Sequence, residues 1–189
     1  MLKIFGPADE KRRREVIKNL SRIFLGGVPS LLNDDGAYLS FVCSLTAMET
    51  LGSFILPHSK NGPRFREFVH RYLPDPLRDM AQDLWALRND AVHGFSTGPF
   101  ALTHHHTEQH LTTGPGGILI LNAEDFYAAL VSGAQTYFRN LETDGELRAA
   151  FSKRIEHANV LTIGKWPPRP RRADEPYDDD DDEDEDGQT

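Results

Sequence analysis

Cysteine is almost absent from this chain, since Cys43 is the only one among 189 residues. A single thiol cannot form an internal disulfide, and it cannot build a thiolate zinc knuckle, which needs several cysteines. A chain of this length can bury enough apolar surface to fold without such cross-links. We therefore expect a domain that is held together by its core in a reducing, cytoplasmic setting.

Long uninterrupted apolar runs are missing as well. The N-terminal residues lead directly into Asp9, Glu10 and the basic run Lys11–Arg14, which is not the charge pattern of a secretory signal. A membrane-spanning helix needs about 18 or more apolar residues in succession, and we expect none here. The sequence thus predicts a protein that makes no contact with a membrane.

A strong excess of basic charge is the third absence. Residues 174–189 hold 11 of the 29 acidic residues and no Lys or Arg, which leaves 18 acidic against 21 basic side chains, or +3, in residues 1–173. This charge permits RNA binding but is far below that of a dedicated nucleic-acid binder. The run Lys11–Arg14 is interpreted either as a solvated helix face or as an RNA-backbone contact.

The chain changes character near its C-terminus. Residues 165–172 are rich in Pro and Arg, and the acidic run follows them. Proline is excluded from helix interiors, and like charges repel each other. We predict a folded domain over residues 1–163 and a disordered acidic tail over residues 164–189. The tail is interpreted as solubilising, and the alternative is that it imitates RNA and covers a basic groove.

Apolar residues at helical spacing predict an all-α bundle of five or six helices. The predicted helices cover residues 9–25, 38–56, 65–72 and 77–93, with two more after Asn122 and after Gly145. Asp75 and Pro76 form a typical start for the fourth helix. Glu49 stands out in the second, strongly apolar helix. It is either exposed or buried with a partner, and Arg88 is the obvious one if the two helices pack.

Between the fourth and fifth helices, two strand-like segments flank a glycine-rich loop and predict a β-hairpin at about residues 100–121. His104, His106 and His110 are the candidate metal ligands of this region. Three imidazoles without a flanking carboxylate other than Glu108 are more typical of a polar surface. We therefore predict no metal and no cofactor, and keep the three histidines as the alternative.

The helix predicted over residues 77–93 carries the side chains that are most useful for chemistry. Asn89 and His93 are four residues apart and share a face, and Arg88 lies one position round with a long side chain. Gly94 is predicted to end the helix. An arginine, an amide and an imidazole are thus expected to converge at a helix C-terminus.

This element, Arg88-Asn89 followed by three residues and His93, resembles the signature of the HEPN family. Members of that family carry an arginine and a histidine, separated by four to six residues, near the end of a helix in a small bundle. Arg64 and His70 form a second match to the spacing alone, but Asn follows Arg88 and Gly follows His93. The resemblance covers at most residues 38–143.

The resemblance implies a HEPN-like bundle and a metal-independent endoribonuclease, acting as a toxin or defence effector under the control of an antitoxin or regulatory protein. RNA cleavage without a metal needs proton transfer and stabilisation of charge on the phosphorane. His93 is expected to move protons, Arg88 to bind the phosphate oxygens, and Asn89 to orient either. One histidine does not conveniently act as both base and acid, so a homodimer with two motifs in one cleft is expected, as in the family.

A structural interpretation of the same residues remains open. In this interpretation Arg88 forms an ion pair with Glu49 or Asp90, and His93 caps the helix C-terminus. The corresponding function is a catalytically silent helical dimer that binds RNA, a nucleotide or a protein. Some family members have a tyrosine two residues after the histidine that partner enzymes modify. Phe95 stands here, so that regulation is not expected.

Overall fold

The computed structural model describes residues 7–157, and these are mostly helical. The described part contains six α-helices and two short strands: α1 (Pro7–Leu20), α2 (Ala37–Ile55), α3 (Asn61–Tyr72), α4 (Ala81–His93), β1 (Phe100–Thr103), β2 (Leu119–Asn122), α5 (Ala123–Thr143) and α6 (Gly145–His157). The predicted all-α class is therefore confirmed. The predicted domain boundary at residue 163 and the predicted tail lie outside the described residues.

Helix α2 is the centre of the bundle, as its apolar character predicts. It packs against α3, α4, α5 and α6. Gly52 is required where α2 meets α3, because a Cβ at this position would come 2.0 Å from the Arg64 backbone oxygen. By length and composition α2 could also cross a membrane, contrary to our expectation, but 61% of its apolar window is buried inside the bundle. Such burial is typical of a core helix.

The basic run Lys11–Arg14 in α1 makes mostly internal contacts. Arg12 Nη2 donates a hydrogen bond of 3.0 Å to the Ile155 carbonyl near the C-terminal end of α6, where a cation suits the helix dipole. Arg13 and Arg14 both form ion pairs with Glu10 one turn earlier in α1. These contacts favour the solvated-face interpretation over an RNA contact.

The predicted β-hairpin was wrong in its strand pairing. β1 and β2 are parallel neighbours, with Phe100 opposite Leu119. Antiparallel hydrogen bonds instead join the connection of residues 104–118 to the strand that follows it, and the Leu111 N–H donates to the Ile120 carbonyl over 2.8 Å. Gly116 and Gly117 have positive φ angles and form the turn that the glycine-rich segment predicts. That turn reverses the chain direction only between residues 111–114 and 118–120. The whole connection between β1 and β2 is long enough for β2 to run parallel to β1.

Helix α4 begins at Ala81 rather than at residue 77, so the predicted start at Asp75 and Pro76 was wrong. The intervening residues form successive tight turns, in which the Met80 N–H donates to the Leu77 carbonyl over 3.2 Å. Leu77 is nevertheless fully buried. A turn can therefore place an apolar residue in the core at a position that continues the helical pattern.

Candidate functional site at the C-terminal end of α4

The C-terminal end of α4 is closed by groups other than the motif histidine. The Asp90 carbonyl accepts hydrogen bonds from the Gly94 N–H at 2.8 Å and the Ser96 N–H at 3.2 Å. The Tyr38 hydroxyl, in the first turn of α2, donates to the Ala91 carbonyl at 2.9 Å. These bonds satisfy the Asp90 and Ala91 carbonyls without His93, and they hold the start of α2 against the end of α4.

Arg88 forms the ion pair that the sequence suggested. Its Nε lies 2.7 Å from Oε2 of Glu49, and both side chains are only 15% exposed. The contact is one of charge rather than a linear hydrogen bond, since neither atom has an aligned partner among the described residues. The guanidinium carbon also lies 5.5 Å from the centre of the Trp85 ring, within the range of a cation–π contact.

Two motif residues meet directly. The Arg88 Nη1 donates a hydrogen bond of 3.3 Å to the side-chain oxygen of Asn89. A guanidinium has five N–H donors, and among the described residues none accepts from Nη2 of Arg88. Glu49 and Asn89 thus orient the guanidinium through Nε and Nη1, and Nη2 is the nitrogen without an acceptor in the described part of the chain.

His93 has a different environment from Arg88. It is exposed, and no hydrogen bond or ion pair to its ring occurs within residues 7–157. Residues five apart on a helix point about 140° away from each other, so Arg88 turns to α2 while His93 faces solvent. Within one protomer the structure therefore joins Arg88, Asn89 and Glu49, and it leaves His93 apart.

An exposed apolar patch adjoins the motif, and we define it as Leu39, Val92 and Phe95. All three are exposed, Phe95 by 83%. The ring of Phe95 lies 4.7 Å from that of Tyr38, and its φ of 48° is in the left-handed region, which costs energy for a residue other than glycine. Leu39 and Val92 continue the apolar spacing of α2 and α4, which is typical of buried positions, yet both are exposed. No signal in the sequence distinguishes them from their buried neighbours.

The three histidines considered as metal ligands do not come together. His106 Nδ1 lies 3.2 Å from Glu108. His110 Nδ1 accepts a hydrogen bond of 3.0 Å from the Asn122 N–H, and burial lowers the pKa of His110 although Asp125 opposes the shift. A different group forms near His104, which lies close to His105 and Asp34.

A groove of about 600 Å³ lies between α1 and α5. The residues that line it include none of these histidines and none of the motif residues. Its wall includes Arg13, Lys18 and Phe138, together with Glu10 and Glu142. Cations and carboxylates alternate there, and the groove contains no group suited to proton transfer near neutral pH. We therefore regard the end of α4 as the candidate functional site.

Comparison of the chain with protein-family models, with curated proteins and with solved structures finds no match.

Proposed function

We propose that this protein is a metal-independent endoribonuclease of the HEPN type that acts as a homodimer on cytoplasmic RNA. The observation that carries the proposal is the contrast at the end of α4. Arg88 is oriented by Glu49 and Asn89, and its Nη2 has no acceptor among the described residues. His93, in the last turn, makes no hydrogen bond or ion pair there and lies beside exposed apolar residues. A toxin or defence role, restrained by an antitoxin or regulatory protein, is part of the same proposal.

Arg88 binds the phosphate in this mechanism. The ion pair with Glu49 holds the guanidinium in one orientation, and the two N–H groups of Nη2 donate to the non-bridging oxygens. Charge-assisted bonds of this kind strengthen as negative charge develops on the phosphorane. Glu49 weakens the attraction of Arg88 for the ground-state phosphate, but it reduces the cost of ordering the side chain.

His93 transfers the protons. A neutral imidazole removes the proton of the 2′-hydroxyl, which attacks the adjacent phosphorus atom, and a protonated imidazole donates a proton to the departing 5′-oxygen. The products are a 2′,3′-cyclic phosphate and a 5′-hydroxyl. The base and the acid act on opposite sides of the phosphorus, so one histidine is not enough.

A second copy of the chain supplies the second histidine. Leu39, Val92 and Phe95 are three of the four large hydrophobic side chains that are exposed within the described residues, and Tyr38 ties their two helices together next to His93. Exposed apolar patches mark interaction surfaces. Pairing of two such patches across a twofold axis brings both motifs to one cleft.

The test is RNA cleavage by the full-length, tag-free protein in the presence of EDTA. We expect cleavage of single-stranded or loop RNA that leaves 2′,3′-cyclic phosphate ends. The His93→Ala variant should cleave about 100- to 10,000-fold more slowly while keeping its helical circular dichroism and its RNA affinity. His70→Ala is the matched control, because His70 is also an exposed histidine near a helix C-terminus, and it should cleave at the wild-type rate.

A catalytically silent dimer is the second candidate, and the Arg88–Glu49 ion pair favours it, since part of the arginine charge is already used. Wild-type protein that binds RNA and is dimeric, but leaves the RNA intact, would establish this candidate and reject the ribonuclease. Cleavage at the wild-type rate by His93→Ala would reject the mechanism.

A further inference from the structure

Three potential metal ligands gather from two separate parts of the chain. Asp34 belongs to the loop before α2, and His104 and His105 directly follow β1. One potential ligand atom from each residue lies within 4.8 Å of the others. We propose that Asp34, His104 and His105 form a zinc-binding site, which is independent of the proposed ribonuclease activity.

The distance between the first two ligands already suits zinc. Nε2 of His104 lies 3.3 Å from Oδ1 of Asp34. Two ligands of a tetrahedral zinc ion, each bonded at about 2.0–2.1 Å, are about 3.3–3.4 Å apart. A zinc ion can therefore bind both atoms with little movement, and the potential ligand atom of the His105 ring lies within 4.8 Å of each.

The backbone at His105 explains why two consecutive histidines can serve one ion. Consecutive side chains of a strand point to opposite faces, but His105 has a φ of 58°, and the two rings pack edge to face with their centres 4.6 Å apart. A left-handed backbone is costly for a histidine. Here it places both imidazoles in one cluster.

Glu124, in the first turn of α5, holds His105 in this arrangement. Its carboxylate accepts from the His105 backbone N–H, with both oxygens at 3.1 Å. Its Oε1 also lies 2.8 Å from Nδ1 of the His105 ring. A carboxylate bound to one ring nitrogen leaves the other nitrogen as the metal ligand, which is the usual support of a zinc-bound histidine.

An ion pair alone does not account for the cluster. The Asp34 side chain is 91% exposed, and exposed pairs contribute little to stability. Nδ1 of His104 is buried, so Nε2, which lies toward Asp34, is the nitrogen that can bind an ion. Three protein ligands leave a fourth tetrahedral position for water, and the ion would join the loop before α2 to the end of β1.

Cobalt(II) titration of the tag-free, full-length protein tests the site. Tetrahedral Co²⁺ absorbs visible light strongly, whereas the oxygen ligands of the acidic C-terminal run would hold it in a weakly absorbing octahedral form. We expect one equivalent of tetrahedral Co²⁺ that Zn²⁺ displaces. Asp34→Asn and His104→Gln should each abolish this spectrum, and Glu124→Gln should weaken the affinity about 10- to 100-fold.

His106→Ala is the matched control, because His106 is the next histidine and lies outside the cluster. It should bind Co²⁺ as the wild type does. Zn²⁺ should raise the Tm of the wild type but not that of Asp34→Asn, whose exposed side chain can be replaced without loss of fold. A wild type without the tetrahedral spectrum, or a spectrum that survives the combined Asp34→Asn and His104→Gln changes, overturns the proposal. Loss of the spectrum in His106→Ala overturns this ligand set.

Discussion

Helices α3 and α4 each carry an arginine followed by a histidine, yet the two pairs have opposite environments. Arg64 in α3 donates to the Leu56 carbonyl at 3.1 Å and to the Pro57 carbonyl at 2.7 Å, and burial lowers its pKa. Arg88 in α4 contacts the Glu49 carboxylate and the Asn89 amide, and its Nη2 has no acceptor in the described part of the chain. Arg64 therefore ties α3 to the chain that follows α2, whereas Arg88 keeps one nitrogen, Nη2, without an acceptor among the described residues.

The two histidines, His70 and His93, also have different neighbours. His70 and His93 are both exposed, but only His93 has an exposed apolar patch beside it. Exposed apolar side chains and an oriented cation occur together near His93, but not near His70 in the described part of the chain. Spacing alone does not separate the two pairs, whereas the groups around them do.

The largest expected effect concerns the two arginines in catalysis. Arg88→Lys should lower the rate of RNA cleavage by about 100-fold or more, because a flexible ammonium group does not reproduce the fixed, planar N–H donors of a guanidinium held by Glu49 and Asn89. Arg64→Lys should cleave at the wild-type rate per folded molecule. Single-turnover cleavage, corrected for the folded fraction, measures both. Equal losses in the two variants would show that α3 and α4 do not differ in function.

Arg64 should matter for the free energy of unfolding rather than for catalysis. Arg64→Ala removes charge-assisted bonds to the carbonyls of Leu56 and Pro57, just after α2, and should lower the free energy of unfolding by about 1.5–3 kcal/mol. His70→Ala, six residues later and exposed, should change it by less than about 0.5 kcal/mol. Urea unfolding at neutral pH measures both values. An Arg64→Ala variant with an unchanged free energy of unfolding would mean that Arg64 does not stabilise the chain that follows α2.

Prediction from the sequence succeeded where one local pattern had one structural solution. The apolar density of α2 predicted the central helix, and of the two interpretations left open for Glu49 the structure shows the one in which it pairs with Arg88. At the start of α6, the Asp144 carboxylate accepts hydrogen bonds from two backbone N–H groups, as an N-cap does.

Prediction failed where tertiary contacts decided between local alternatives. Asp75 pairs with Arg78 and does not cap a helix, so α4 starts later than its pattern suggests. Val92 continues the apolar spacing of α4 but lies beyond the part of the helix that the bundle covers. The pairing of β1 with β2 and the approach of Asp34 to His104 depend on long-range packing, which residue spacing does not encode.

Phe95→Gly tests the apolar patch that distinguishes α4 from α3. The glycine relieves the left-handed backbone but loses the Tyr38 contact and adds chain entropy, so monomer stability should change by less than about 1 kcal/mol. The dimer dissociation constant should rise about tenfold or more, since a phenylalanine on each copy no longer becomes buried. Sedimentation equilibrium measures it. Ile118→Ala, at the exposed hydrophobic residue outside the patch, is the control, and an equal effect there would place the interface elsewhere.

The smallest expected effect concerns His110, a half-buried histidine that contrasts with the exposed His70 and His93. Burial lowers its pKa in the folded chain, while in the unfolded chain it titrates near pH 6.5. Below that pH the unfolded chain binds more protons, so this contribution to stability is complete above about pH 6.5 and is lost as the pH falls toward the folded-state pKa.

His110→Asn removes this titration and keeps an acceptor for the Asn122 N–H. We expect the variant to lose less stability than the wild type between pH 7.5 and pH 5.5, by at most about 1.4 kcal/mol. Urea unfolding at both pH values measures the difference, and His70→Asn, at an exposed position, should follow the wild type. If His110→Asn and the wild type lost stability equally, His110 would have to take up its proton equally well in the folded and unfolded chains. The bond from the Asn122 N–H to Nδ1 argues against that, because a doubly protonated imidazole has no acceptor for it.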